Sequence, residues 1–207
     1  MAADRGAIAA WLSGLAGMLV TDALDAVDLA NRLSDATALE GQAFAAEALA
    51  IMRVIAESVA SPSAFDILAV PSFTDADTSA AAMVLGTFGL CVAAPRIAWA
   101  SRPQARAARV RIVGHGEAAL GVVSRAGGAA VDLYRYLSRL IEIAVLIVSE
   151  QAANAVPIVR VETGVSLPSS VLAYQLYGDA ARAQSLVDIA RSATPMIMPI
   201  AFEALES

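Results

Sequence analysis

The sequence predicts a mainly α-helical protein, with a helical N-terminal region over residues 1–153 and a small βααβ module over residues 156–207. Three observations point there. The composition is 58% hydrophobic but only 5% aromatic, and alanine dominates it; alanine has the best intrinsic helix propensity. Apolar residues recur three and four positions apart through most of the first region, the period of a helix face. The terminal stretch then changes period: Val159 and Val161 alternate with Arg160 and Glu162, as in a half-buried strand.

Taken in order, Ala7–Val20 places Ile8, Trp11, Leu12, Leu15, Leu19 and Val20 near one face and reads as an amphipathic helix. Asp4 cancels the charge of Arg5, and Trp11, Gly14 and Gly17 interrupt the apolar run, so the stretch reads as mature helix and not as a signal peptide. The second helix has Leu24, Val27, Leu29 and Leu33 on its apolar side, with Asp22, Asp25 and Asp28 on its flank. Three-residue spacing spreads those carboxylates over an arc without the turn a calcium loop needs, so they read as a solvated face. Leu39–Ala60 is the third helix, with Phe44, Leu49, Ile51, Met52, Ile55 and Val59 apolar, and Ser61-Pro62-Ser63 stops it. Phe65–Val70 is a short turn or helix, and Thr74 and Asp75 are N-cap candidates for the helix that follows.

Thr78–Pro95 holds no charged residue over 18 positions, which is the length of a membrane span. It is rich in Ala, Gly and Thr, and Arg96 follows at once; a helix buried among other helices or subunits explains it as well. Gly86 and Gly89 would allow close helix contacts. Pro95 and Pro103 bracket a connector with Trp99, and Gln104–Val113 is an Arg-rich helix or strand. His115 sits between Gly114 and Gly116 in an expected loop, without a recognisable nucleophile to serve as a general base. Gly127-Gly128 marks a weak point before a long helix over Leu133–Ala153, whose apolar side is Leu137, Leu140, Ile141, Ala144, Val145 and Val148. Asp132 with Arg135 and Arg139 with Glu142 lie on its wetter side, and Asn154 can cap its end.

In the terminal module Gly164 breaks the first strand. Leu167, Val171, Leu172 and Leu176 recur at helical spacing, with Ser166 as N-cap and Pro168 in the first turn. Gly178 ends this helix and Asp179 can cap the next, which carries Leu186, Val187, Ile189 and Ala190. Pro195 and Pro199 forbid its continuation. Phe202 and Leu205 suit a closing strand.

This order is similar to that of a LysM domain, with Gly164, Ser166, Leu167, Leu172, Ala173, Tyr177, Gly178, Ile189, Pro199 and Leu205 in matching sequence. A denser, ungapped match runs through Leu167-Pro168, Val171-Leu172-Ala173-Tyr174, Leu176-Tyr177-Gly178-Asp179-Ala180 and Arg182-Ala183. Those residues resemble the C-terminal end of the phage tail proteins known as Mu-like DNA circularisation proteins. The resemblance covers the terminal module; the helical region upstream is similar only in texture, and the family's N-terminal domain has no counterpart here. The chain departs from the pattern at Arg191-Ser192, where the family has Arg-Asn, and at Thr194-Pro195, where it has His-Pro. LysM domains that bind peptidoglycan grip sugars with polar loop residues, so the missing Asn weighs against glycan recognition.

The resemblance implies a structural, non-enzymatic component of a contractile phage or phage-like tail, located in the virion at the baseplate or hub. Its LysM-like module would clamp other tail proteins such as hub, tube, wedge or sheath-proximal subunits. The residues it implies for that contact are Leu167, Leu172, Tyr174, Leu176, Tyr177, Gly178, Asp179 and Arg182. The alternatives are a peptidoglycan-binding accessory protein and a DNA-associated phage protein.

Charge and composition bear on the same choice. The formal net charge is −6, opposite to what a protein wrapping DNA needs. Met1–Thr78 holds three arginines against eleven acids, and Ser79–Ser207 holds eleven against nine. Arg96, Arg102, Arg106, Arg109 and Arg111 form the one basic concentration; an acidic neighbouring subunit or nucleic acid would suit it. All cations are arginine, as a GC-rich genome would give, and the apolar excess also suits a subunit of a large, multi-copy assembly. Cys91 stands alone in an apolar run, which excludes an internal disulfide and suits a small core residue. No phosphate-loop, zinc-protease, paired-cysteine or nucleophile-elbow motif occurs, and no cofactor, metal or small-molecule substrate is implied.

Overall fold

In the computed structural model, which describes residues 3–206, the chain is mainly helical with one small two-stranded sheet. It divides into two compact units. The first comprises the chain up to Trp99 together with Ala105–Gln151; the second comprises Ala100–Gln104 and the chain from Ala152 onward.

The first unit opens with α1 (Arg5–Leu19) and α2 (Ala23–Ala36). Asp4 caps α1 by accepting the Ala7 N–H at 3.1 Å, and Asp22 caps α2 by accepting the N–H groups of Leu24 and Asp25 at 2.9 and 3.1 Å. The run of three aspartates thus serves capping and pairing: Asp28 lies 3.7 Å from Arg32. α1 buries Ile8, Leu12, Leu15 and Leu19. The expected apolar side of α2 is corrected here. Leu29, Leu33 and Ala36 turn inward, whereas Leu24 and Val27 stand on the opposite face in solvent, because 24 and 29 are five positions apart and so lie on different sides of a helix.

α3 (Gly41–Glu57) is shorter than the expected Leu39–Ala60. Phe44, Ala48, Ile51, Met52 and Ile55 form its buried stripe. α4 (Pro62–Ile67) is a short helix with Pro62 in its first turn and Ser61 as its cap.

α5 (Ala76–Ala93) begins at Asp75, which accepts the Thr78 N–H at 2.7 Å and the Thr78 hydroxyl at 2.6 Å. The stretch Ala76–Arg96 is long and apolar enough to cross a membrane, with mean hydropathy 1.5. It is also 61% buried inside the protein, as a core helix requires. α3 lies close against it, since a Cβ at Gly89 would stand 2.7 Å from the Met52 sulfur.

α6 (Arg102–Arg125) is a single helix, so the loop expected at Gly114-His115-Gly116 does not exist. Each glycine costs about 1 kcal/mol of helix propensity, yet Gly116 is needed where it is. A Cβ there would come within 2.9 Å of Ile141 Cδ1 on α7 (Val131–Asn154). The Gly127-Gly128 weak point is a short 3-10 turn over Gly127–Ala130. α7 buries Leu137, Ala144 and Val148, and Arg139 and Glu142 pair at 3.4 Å on its wet side.

In the second unit β1 (Ile158–Glu162) pairs antiparallel with β2 (Ala201–Leu205), in the register Ile158↔Leu205 and Val161↔Phe202. Between them lie α8 (Ser169–Tyr177) and α9 (Ala183–Ala190). Leu172, Ala173, Leu186, Val187, Met198, Phe202 and Ala204 form the core. Val161 packs on it, whereas Val159 is 37% exposed, so the expected alternation buries only one of the two valines. Pro168, not Ser166, occupies the N-cap of α8; the Ser166 hydroxyl donates instead to the Met198 carbonyl. Gly178 closes α8 in the left-handed region at φ 69°, where a side chain would be strained.

Candidate functional site

Most of the residues that the family resemblance nominates for contact build the module itself. Leu172 is fully buried, and Leu167, Leu176 and Tyr177 pack against the same core. The Tyr177 hydroxyl accepts the Leu205 N–H at 2.9 Å, and the Arg182 guanidinium lies over the Tyr177 ring, 4.1 Å from its centroid. Asp179 accepts the Ala181 N–H at 2.8 Å and so starts the short turn into α9. Tyr174 is different. It is 65% exposed on the outer side of α8, with Val171 also exposed three residues before it. At one end of the unit, Thr163 N–H donates to Ile200 O at 2.9 Å and Met198 N–H to Leu167 O at 3.0 Å. These bonds lay the 195–200 segment beside residues 163–169 and leave Val165, Met196, Ile197 and Ile200 exposed together. Periodicity could not flag these four residues, because they lie outside the helices and strands.

The five arginines do not form one basic patch. Arg111 folds back on α4: its guanidinium donates to the carbonyls of Phe65 and Leu68, the former at 3.0 Å, and lies 3.4 Å from Asp66. It also stands 4.9 Å from the Phe65 ring centroid, and Phe65 meets Trp99 edge-on at 5.4 Å. Burial lowers the Arg111 pKa, against the opposing pull of Asp66. Its role is to satisfy the C-terminal carbonyls of α4. Arg102 donates its backbone N–H to Val156 O at 3.1 Å and its guanidinium to Ala153 O at 3.4 Å. Arg96, Arg106 and Arg109 are left without an ion-pair partner among the described residues; Arg96 and Arg106 are exposed and Arg109 is half-buried.

His115 lies within α6, and its carbonyl accepts the Thr87 hydroxyl at 3.1 Å. Burial, and secondarily Arg111, hold its pKa below the ordinary histidine value. Cys91 is buried, and burial pushes its thiol up to about 12, as befits an unreactive core residue. Among the described residues no three His, Cys, Asp or Glu side chains gather where they could hold a metal ion.

The first unit also carries an apolar groove of about 390 Å³, which the sequence did not reveal. Ile8, Phe44, Leu85, Val123 and Leu133 contribute to its walls, and Arg5 is the one charged residue there among the described residues. The Arg5 guanidinium donates to the Leu39 carbonyl. The groove is assembled from several helices, and its chemistry suits an apolar side chain or helix face.

Comparison with models of known protein families and with curated proteins finds no match to this chain.

Proposed function

We propose that this chain is a structural, non-catalytic subunit of a contractile phage or phage-like tail, placed in the virion at the baseplate or hub. Its terminal unit is read as a LysM-like clamp for other tail proteins. The order strand, helix, helix, strand supports that reading, as does the run from Leu167 to Ala183 that resembles the tail family.

The observation that carries the reading is Tyr174. The module uses Leu172, Leu176 and Tyr177 to hold itself rigid, and it presents one aromatic residue, with Val171, on the outer side of α8. A rigid element offering an exposed tyrosine has the chemistry of a protein contact, where tyrosine is enriched among the residues that dominate binding. The DNA-associated alternative draws less support, since Arg102 and Arg111 are engaged by backbone carbonyls.

The test is to locate a tagged chain in intact particles by imaging. Density at the baseplate, lost or reduced with Tyr174→Ser, is the expected result. A chain found only outside particles, or one that sediments with purified cell-wall sacculi, overturns it.

A further inference from the structure

We propose that two copies of this chain pair through the free edge of β1, antiparallel and centred on Val161, so that Arg160 of each copy stands opposite Glu162 of the other. The inference concerns the terminal unit alone and does not depend on the tail reading.

The ladder fixes which edge is free. The Glu206 N–H donates to the Pro157 carbonyl at 3.0 Å and the Thr163 N–H to the Ile200 carbonyl at 2.9 Å, both in line with the register Ile158↔Leu205. In an antiparallel pair, hydrogen-bonded and non-hydrogen-bonded positions alternate. Val159 and Val161 therefore bond to β2, and the N–H and C=O groups of Ile158, Arg160 and Glu162 point away from it. On β2 the same alternation turns Ala201, Glu203 and Leu205 outward, and the Leu205 N–H meets the Tyr177 hydroxyl there at 2.9 Å. The outer edge of β2 is thus partly taken by α8. The outward groups of β1 have no hydrogen-bond partner among the described residues. A row of unpaired donors and acceptors along an exposed strand is a template for another strand.

Charge names the strand that fits. Arg160 and Glu162 lie two apart on one face of the sheet, opposite the face that Val161 packs on the core. Their side chains are 74% and 71% exposed. Antiparallel pairing reverses residue order, so Arg160-Val161-Glu162 is complementary to itself. With the two-fold axis at Val161, Arg160 of each copy exchanges two main-chain hydrogen bonds with Glu162 of the other, and their side chains meet as a directly opposed pair of unlike charge. The ion pair of Arg160 with Glu162 of its own strand, at 3.4 Å, does not compete. A guanidinium has five N–H donors and serves both carboxylates, and a pair so exposed contributes little alone. Along one row of the joined sheet the order is Glu203 and Arg160, then Glu162 and Ala201 of the second copy, so no like charges stand directly opposite.

Other registers lose this match. Outward groups can meet only outward groups, so the axis falls on a residue. An axis at Arg160 or at Glu162 sets that charge against its own copy, which is destabilising. An axis at Val159 puts Arg160 opposite Ile158 and leaves both charges without a partner across the junction. Charged residues on an edge usually deter pairing; the order found here admits a copy of itself. The contact is isologous and closes at two copies.

The experiment is analytical ultracentrifugation of the full chain across concentration. Wild type is expected to show a dimer that grows with concentration. Arg160→Glu and Glu162→Arg are each expected to weaken the dimer about tenfold, and the chain carrying both is expected to recover it, because the swapped order is again self-complementary. Glu162→Pro removes an outward N–H without touching the ladder to β2, and is expected to weaken the dimer further than Glu162→Ala. Circular dichroism melting verifies that each variant folds. Cross-linking reads the register. Directly opposed non-hydrogen-bonded positions have Cα atoms about 4.5 Å apart, within disulfide reach, so Val161→Cys is expected to give an oxidised dimer and Arg160→Cys is not. Cys91 is buried and leaves wild type as the control. A monomer at every soluble concentration, a double reversal no better than the single ones, or cross-linking at 160 in place of 161 overturns the proposal. The tail reading is judged separately: a monomeric chain still found at the baseplate loses this pairing alone, and a dimer with the expected register absent from particles loses the tail assignment alone.

Discussion

The Tyr177 hydroxyl accepts the backbone N–H of Leu205 at 2.9 Å, tying the last turn of α8 to the closing strand β2. Leu205 is buried and pairs with Ile158 across the sheet, so this one phenol links α8, β2 and, through the register, β1. Tyr177→Phe keeps the ring under Arg182 but leaves that N–H without its acceptor. The expected cost is about 1 kcal/mol, measured by urea denaturation. Hydrogen exchange at the Leu205 amide should accelerate, and an unchanged exchange rate would show that the bond does not hold the strand.

Three glycines of the first unit should respond differently to alanine. In an exposed helix the change stabilises by up to about 1 kcal/mol, and that is the expectation for Gly121→Ala, where an added Cβ meets nothing within 4 Å. Gly89→Ala should instead destabilise by roughly 1–3 kcal/mol, because its Cβ would stand 2.7 Å from the sulfur of the fully buried Met52. Gly86→Ala should cost more than Gly89→Ala. Its Cβ would meet Val70 Cγ2, and a β-branched side chain moves aside less readily than a thioether. Thermal melting of the three variants checks the order.

Asp75 should make the protein acid-sensitive. The Thr78 hydroxyl and then the Thr78 N–H hold its carboxylate below the ordinary pKa. A depressed folded-state value favours the folded state when the group is ionised. Its contribution is therefore complete above the unfolded carboxylate value and is lost as pH falls through the lower folded one. Asp75→Asn should lower stability at neutral pH and flatten the decline of the urea midpoint on acidification. A decline identical to that of wild type would disprove the assignment.

Arg111 should behave as a structural residue. Arg111→Met removes the donor to the Phe65 and Leu68 carbonyls, with an expected loss of roughly 1–3 kcal/mol. Arg111→Lys should recover only part of it, because an ammonium cannot reproduce the guanidinium fork. Chemical denaturation of the two variants measures the difference, and equal stability of lysine and arginine would contradict the geometry.

Gly114, His115 and Gly116 show where local signals mislead. Glycine on both sides of a polar residue argues for a loop, but α6 runs straight through because Gly116 must admit Ile141 of α7. That requirement is a contact between residues far apart in the chain, and no window of sequence contains it. The same limit applies to Arg111: charge patterning reads five arginines between Arg96 and Arg111 as one cluster, and only packing shows one of them bent back to cap α4. Hydrophobicity alone places Leu24 and Val27 on the buried side, yet α2 is covered only along Leu29, Leu33 and Ala36.

By itself the sequence determined most of the helical segments and the two terminal strands, that Asp75 starts α5 and Gly178 ends α8, and that Leu172 and Leu186 lie on apolar helix faces with Phe202 in the closing strand. These are properties of neighbours along the chain: periodic burial, caps and backbone angles. Tertiary structure alone decided that Gly116 is a point of close approach and that Val70 and Met52 are what meet Gly86 and Gly89, that Tyr177 is a tie and Tyr174 a free surface, and that an apolar groove opens in the first unit. The physical reason is that steric room and solvent exposure belong to pairs of surfaces, and the second surface of each pair lies tens of residues away.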